Sequence, residues 1–193
     1  MAPIPLFLLF STLLLRSAAA SKPSAPPQDL IRSSCVNASY PTLCLRTLSS
    51  YSGPVNTPRD LAQAAVKVSL AHARKASSYL TTNVTASSSG KSGRERAALS
   101  DCVEQMAESV DELSRTLSEL KHLRGETFEF QMSNAQTWVS AALTYEDTCL
   151  DGFEGVEKKV KSDVKKTIMN VAKVTSNALY MIRKLDESGG ANR

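Results

Sequence analysis

Histidine occurs only twice in 193 residues and tryptophan only once. His72 lies within a long amphipathic segment and His122 near the end of another. Neither has a cysteine or a carboxylate at metal-ligand spacing, apart from ordinary surface acids, so both read as surface or packing residues and no metal is expected. The four cysteines lack the CxxC spacing of zinc and thioredoxin-like sites. Gly-rich phosphate loops, nucleophile elbows and the HExxH pattern are missing as well. No catalytic residue and no cofactor is therefore expected. After the N-terminal apolar run nothing alternates with a period of two, which removes a sheet from consideration.

Long hydrophobic runs are also scarce. The one present, Leu6 to Leu15, is shorter than the about 20 apolar residues a membrane-spanning helix needs. It is followed by Ala18, Ala19 and Ala20, so it reads as a secretory leader cut after Ala20. No membrane partner is expected, and neither a lipid-anchor nor an ER-retention signal ends the chain. Removal of residues 1–20 takes away only Arg16 and lowers the formal charge from +4 to +3, too small a value to imply nucleic acid. About 170 residues remain, enough for one domain with a real core. Secretion permits disulfides, and Asn37 and Asn83 head two glycosylation sequons. Of these, Asn83 is the better candidate, because it borders a Ser/Gly-rich stretch.

What the chain does have is helical periodicity. Residues 21–28 are Pro-rich and read as a flexible lead-in, and residues 188–193 as a tail. From 29 to 50 two short helices are expected, broken at Tyr40-Pro41 because a residue before proline is pushed out of helical geometry. Cys35 and Cys44 flank that break, and a bridge between them would staple a helical hairpin. Thr57-Pro58-Arg59-Asp60 has the cap, first-turn proline and acid of a helix start. The helix it opens is expected to run to about Leu80, with Leu61, Ala65, Val68, His72 and Lys75 in one row and Ala64, Val68 and Ala71 in another. A loop from Thr81 to Gly93 follows.

The next segment, Glu95 to Leu123, spaces Leu99, Cys102, Met106, Val110, Leu113, Leu117 and Leu120 by three or four without a miss. A fourth helix is expected from Glu129 or Ser133 to Leu150. Its small residues Ser140, Ala141 and Ala142 allow close packing, with Trp138 as a core anchor beside Tyr145. Lys158 to Glu187 carries a last stripe of Val164, Ile168, Val171, Thr175, Ala178, Ile182 and Leu185. The expected fold is all-α: an antiparallel up-down-up-down four-helix bundle over 57–187, fronted by the 29–50 hairpin. A Cys102–Cys149 bridge is reasonable there if the two thiols meet at one height.

The charges segregate. Glu104, Glu108 and either Asp111 or Glu112 follow one another at helical spacing, whereas Lys158, Lys159, Lys161, Lys165, Lys166 and Lys173 make the last helix basic. The plain interpretation is two solvated faces; the sharper one is an acidic surface that docks a basic protein. Paired carboxylates could also serve a glycosidase, but a compact bundle offers little room for the cleft.

The tract Gln136-Thr137-Trp138-Val139-Ser140-Ala141-Ala142-Leu143-Thr144-Tyr145-Glu146-Asp147-Thr148-Cys149-Leu150-Asp151-Gly152-Phe153 resembles the signature of plant pectin methylesterase inhibitors. Ile31 to Cys35 with Tyr40 to Cys44, and Ala98 to Cys102, resemble the family's other cysteine segments. The resemblance implies two disulfides, Cys35–Cys44 and Cys102–Cys149. It also implies an inhibitor, not an enzyme, that covers the pectin-binding cleft of the esterase in a non-covalent one-to-one complex outside the cell, in the apoplast and cell wall. Carried over by position, it suggests Glu104, Glu108, Gln136, Thr148 and Asp151 as partner-binding residues. The family also contains inhibitors of acid invertase. These tend to carry Pro-Lys-Phe where this chain reads Glu126-Thr127-Phe128-Glu129-Phe130, so the esterase is the favoured partner and invertase the alternative. No catalytic domain follows in the sequence, so a stand-alone inhibitor is expected rather than an enzyme's pro-region.

Overall fold

The computed structural model describes residues 27–85, 92–156 and 158–189. The expected leader, most of the Pro-rich lead-in, residues 86–91 and the last four residues of the tail lie outside them. Six helices follow in order: α1 (Pro27–Cys35), α2 (Pro41–Ser49), α3 (Pro58–Thr85), α4 (Gly93–Lys121), α5 (Phe128–Asp151) and α6 (Lys158–Glu187). A single 3-10 turn, Gly125–Thr127, joins α4 to α5. The four long helices pack in a ring, α3 on α4, α4 on α5, α5 on α6 and α6 back on α3, so the all-α bundle is as expected. Among the described residues there is no strand, and no helix is long and apolar enough to cross a membrane.

The helix starts follow from local chemistry. Thr57 Oγ1 accepts from the Asp60 amide and Asp60 Oδ2 accepts from the Thr57 amide, both at 3.1 Å, a reciprocal capping box ahead of Pro58. Ser92 Oγ accepts from the Glu95 amide and caps α4, so Gly93 is helical instead of closing a loop. At its other end α3 continues past Leu80 to Thr85. Thr81, Thr82 and Asn83 donate back to the carbonyls of Ser77, Ser78 and Tyr79 at 2.8–2.9 Å, which suits a last helical turn. α5 begins at Phe128, ahead of both expected starts.

The stripes of α4 and α6 are buried as expected, except that Val110 is only half-buried. The phase of α3 differs. Leu61, Ala64 and Ala65 are buried as expected, but the row that stays buried along the helix is Ala62, Val66, Ser69, Ala73, Ala76 and Leu80, while Val68 and His72 are half-buried and Ala71 and Lys75 exposed. Alanines occur on almost every side of this helix, so periodicity alone leaves its rotation open. Trp138 is likewise no core anchor. It is half-buried at the edge of α5, and the buried row runs through Met132, Ala135, Val139, Ala142, Glu146 and Cys149.

Side chains lock the ends. Arg59 and Gln63 of α3 donate to the carbonyls of Leu120 and Lys121, which the end of α4 leaves without helical partners. Gln131 receives the Arg124 amide and the Thr127 hydroxyl and donates to Glu119 and the His122 carbonyl, fixing the α4–α5 connection. Asn177 of α6 exchanges two hydrogen bonds with the Tyr40 backbone (2.9 and 3.1 Å), which clips the α1–α2 hairpin to the bundle.

Candidate partner-binding face

Two disulfides are formed, Cys35–Cys44 and Cys102–Cys149. The second joins α4 to α5 with its Cα atoms 4.4 Å apart. Because the two helices run antiparallel, it sets their register. Residues two to six beyond Cys102 lie level with those two to six before Cys149, at about 1.5 Å per residue.

This register decides which of the expected contact residues meet. Glu104 and Glu108 are exposed on α4; Glu108 lies on the flank that sends Glu119 to Gln131 and Asn134, while Glu104, about 200° round the helix from Cys102, lies towards its outer side. Thr148 is exposed on the facing flank of α5, and its hydroxyl donates to the Thr144 carbonyl (2.8 Å), leaving its lone pairs outward. These three residues therefore lie at the disulfide end of the α4–α5 pair. Asp151 is exposed in the final turn of α5, just beyond the bridge. Gln136 does not join them. It lies about 18 Å along α5 from Thr148, half-buried on the opposite flank, where its amide donates to Asp186 of α6 (2.7 Å).

The choice between Asp111 and Glu112 is also settled. Glu112 is buried at 8% exposure and pairs with Arg115 at 3.2 Å, so the exposed acidic row is Glu104, Glu108 and Asp111. Asn37 is exposed in the turn between α1 and α2, whereas Asn83 is helical and half-buried, with Nδ2 donating to Tyr79.

Sequence reasoning missed two features here. Phe130 is 70% exposed near the start of α5. Eighteen residues separate it from Thr148, about five turns and about 27 Å, so both lie on one side of the helix. Phe128, two residues earlier, is buried at 6%, and only the packing tells these two phenylalanines apart.

The other feature is Glu146, fully buried beneath the seam. Its Oε1 accepts from Ser109 of α4 (2.8 Å) and from Thr175 of α6 (2.9 Å). Thr175 also shares a 2.6 Å hydrogen bond with Ser69 of α3. Thr175 gives its proton to the carboxyl, so Ser69 must donate to Thr175. All four bundle helices thus converge on one carboxyl group, whose Oε2 has no partner. Burial raises its pKa to about 7 against the two hydroxyl bonds that lower it, with Asp147 adding to the rise. The three-four spacing of Val139, Ala142, Glu146 and Cys149 was a usable signal for its burial.

His72, half-buried between α3 and α6, meets the Asn170 amide at its Nδ1 (3.1 Å), and burial, then Lys75 and Arg46, lower its pKa. The exposed His122 bonds the Ser118 carbonyl through Nδ1 (2.7 Å). Among the described residues no group of His, Cys, Asp and Glu could hold a metal.

The face can therefore present fixed carboxylates, a hydroxyl and an apolar ring on two covalently joined helices, which suits recognition of a macromolecule. Comparison with known proteins points the same way. A family model described as plant invertase/pectin methylesterase inhibitor matches residues 29–181. Pectinesterase inhibitor 3 of Arabidopsis thaliana is 58% identical over 170 residues, 84% of this chain and 82% of that protein. A 21 kDa protein of Daucus carota is 41% identical, covering 91% of this chain and 92% of that one. In fold, the chain is similar to a crystal structure of a pectin methylesterase inhibitor from Arabidopsis thaliana, with a TM-score of 0.52 at 22% identity over 81% of this chain and 96% of that one. A mutant form of such an inhibitor gives a TM-score of 0.59, also at 22% identity, over 82% and 97%. The extent of the family match, the whole-length relatives and the two disulfides together show that the chain belongs to the plant invertase/pectin methylesterase inhibitor family.

Proposed function

We propose that the protein is a secreted inhibitor of pectin methylesterase. It binds one-to-one and without covalent chemistry, laying the α4–α5 face across the enzyme's pectin-binding cleft in the apoplast and cell wall. The observation that carries this reading is the 58% identity, over most of both chains, to a protein named as a pectinesterase inhibitor. The face supports it physically. Glu104, Glu108 and Thr148 are exposed on two helices that the Cys102–Cys149 bridge holds in register, so little conformational freedom is lost on docking. Asp151 extends the polar contact beyond the bridge, and Phe130 supplies an apolar anchor at the far end. Gln136, which donates to Asp186 of α6 on the opposite flank of α5, lies outside this face.

Titration of the purified protein against plant pectin methylesterases at mildly acidic pH tests the proposal, with full inhibition expected at one equivalent. The double change Glu104→Lys with Thr148→Ala should abolish inhibition and leave the helical spectrum intact. Absence of inhibition across several esterase isoforms would refute the proposal, and retained inhibition by the folded double variant would refute this face. Acid invertase, which the family description also names, is assayed in parallel as the alternative target.

A further inference from the structure

The seam between α3 and α6 lies diagonally across the bundle from the α4–α5 seam, and its chemistry is the reverse. A groove of about 730 Å³ runs along it, lined by Lys75 and Tyr79 of α3 and by Lys166, Asn170 and Lys173 of α6. A second hollow of about 410 Å³, lined by Tyr40 and Arg46 of the hairpin, shares Asn170 and Lys173 with the first. The two form one continuous trough. Lys166 and Lys173 are seven residues apart on one side of α6, about 10 Å along its axis, and Lys75 faces them from α3.

Among the described residues, Asp163 is the only acid lining either hollow. Among the described residues, Lys75, Lys166, Lys173 and Arg46 make no ion pair. The only ring contact among these four cations is that of Lys173, whose Nζ lies 5.5 Å from the Tyr40 ring centre. Among the described residues the groove's one other titratable base is His72, which meets the Asn170 amide at Nδ1 and has its pKa lowered by burial, then by the cations Lys75 and Arg46. Positive charge thus outweighs the single carboxylate of Asp163 there, and a concave surface concentrates the potential. Two large rings stand in the same trough, Tyr79 at 37% and Tyr40 at 40% exposure. The Asn177 clip on the Tyr40 backbone holds the second in place.

We propose that this trough binds a polyuronate, a linear sugar polymer bearing free carboxylates, with Lys75, Lys166, Lys173 and Arg46 pairing the acid groups and Tyr79 and Tyr40 stacking on sugar faces. Other polyanions fit less well. A flat bilayer cannot enter a concave groove. The acidic row on α4 confines any polyanion to one side of the molecule, which argues against a nucleic acid wrapping it. The choice of polyuronate rests in part on the proposed function, because de-methylesterification of pectin leaves such a chain. The two faces are opposite, so the protein can hold the polymer and an enzyme together.

Affinity electrophoresis of the full protein through gels containing polygalacturonate tests the proposal, with fully methylesterified pectin as the neutral control. Retardation is expected only with polygalacturonate, and it should fall as salt is raised. The variant Lys75→Glu with Lys166→Glu should bind at least roughly tenfold more weakly, with Lys166→Ala intermediate, and with unchanged helical spectra. Inhibition of the esterase on a small soluble ester should be the same for all three proteins. No retardation at low salt, equal retardation by methylesterified pectin, undiminished binding by the folded double variant, or stronger competition by RNA or anionic vesicles of matched charge would each overturn the proposal. Inhibition without retardation would sink the trough and spare the inhibitor reading; retardation without inhibition would do the opposite.

Discussion

Replacement of Glu146 by glutamine should remove a large pH-dependent contribution to this protein's stability. The carboxyl is fully buried, and burial lifts its pKa from 4.5 to about 7. In the unfolded chain it ionises near its ordinary value. Between about pH 4.5 and about pH 7 the native state therefore keeps a proton that the unfolded state has lost, so stability falls as pH rises through that window and levels off above it. At about 1.4 kcal/mol for each pH unit, the interval amounts to about 3 kcal/mol. This is a large share of the total stability of a domain this size.

Glutamine keeps the shape, and its oxygen still accepts from Ser109 and Thr175. Its amide occupies the position of Oε2, which already lacks a partner, so a constant penalty of about 1–3 kcal/mol is expected at every pH. The sloping contribution vanishes because the amide does not titrate. His72 works in the other sense: its lowered pKa means that stability is lost as pH falls through the acid range. It is present in both proteins and cancels in their difference. Urea unfolding followed by far-UV circular dichroism at pH 4.5, 5.5, 6.5 and 7.5 gives that difference directly. Wild type should lose its advantage over Glu146→Gln by about 3 kcal/mol from the lowest pH to the highest. A difference constant to within about 0.5 kcal/mol would show that Glu146 is ionised in the native state and would refute the reasoning.

Opening the Cys102–Cys149 loop with a pair of Cys→Ser changes should cost about 4 kcal/mol, against about 3 for Cys35–Cys44, because the chain closed by the first is longer, 47 residues against 9; urea midpoints compare the two, and loss of the first should also weaken inhibition more. Phe130→Ala should weaken esterase binding by more than about 1 kcal/mol and leave the melting temperature unchanged, since the ring is 70% exposed; calorimetric titration and thermal melting separate the two effects. Leu113→Ala, at a fully buried position of α4, should lower stability by about 2–5 kcal/mol in urea unfolding.

Much of the architecture was legible because long helices bury one side. The rows Leu99 to Leu120 and Val164 to Leu185 report their periods directly, and caps such as Thr57 with Asp60 mark helix starts through contacts made within four residues. The signature around Cys149 carried the family. The phase of α3 was not legible, because alanine on most of its sides offers no contrast to read. Nor was the extension of α3 to Thr85, since threonine and asparagine are as much at home in turns as in a last helical turn.

The sequence alone determined a helical bundle, its family and the Glu104 and Glu108 pair on α4, because each depends on residues close together in the chain. Only the tertiary structure decided which distant groups meet. It put Gln136 and Thr148 on different flanks of α5, it turned Phe130 out and Phe128 in, and it assembled Ser69, Ser109, Glu146 and Thr175 from four helices into one buried network. Helical periodicity gives the side a residue occupies, whereas register and rotation between helices come from packing across the core and from the bridge that joins α4 to α5.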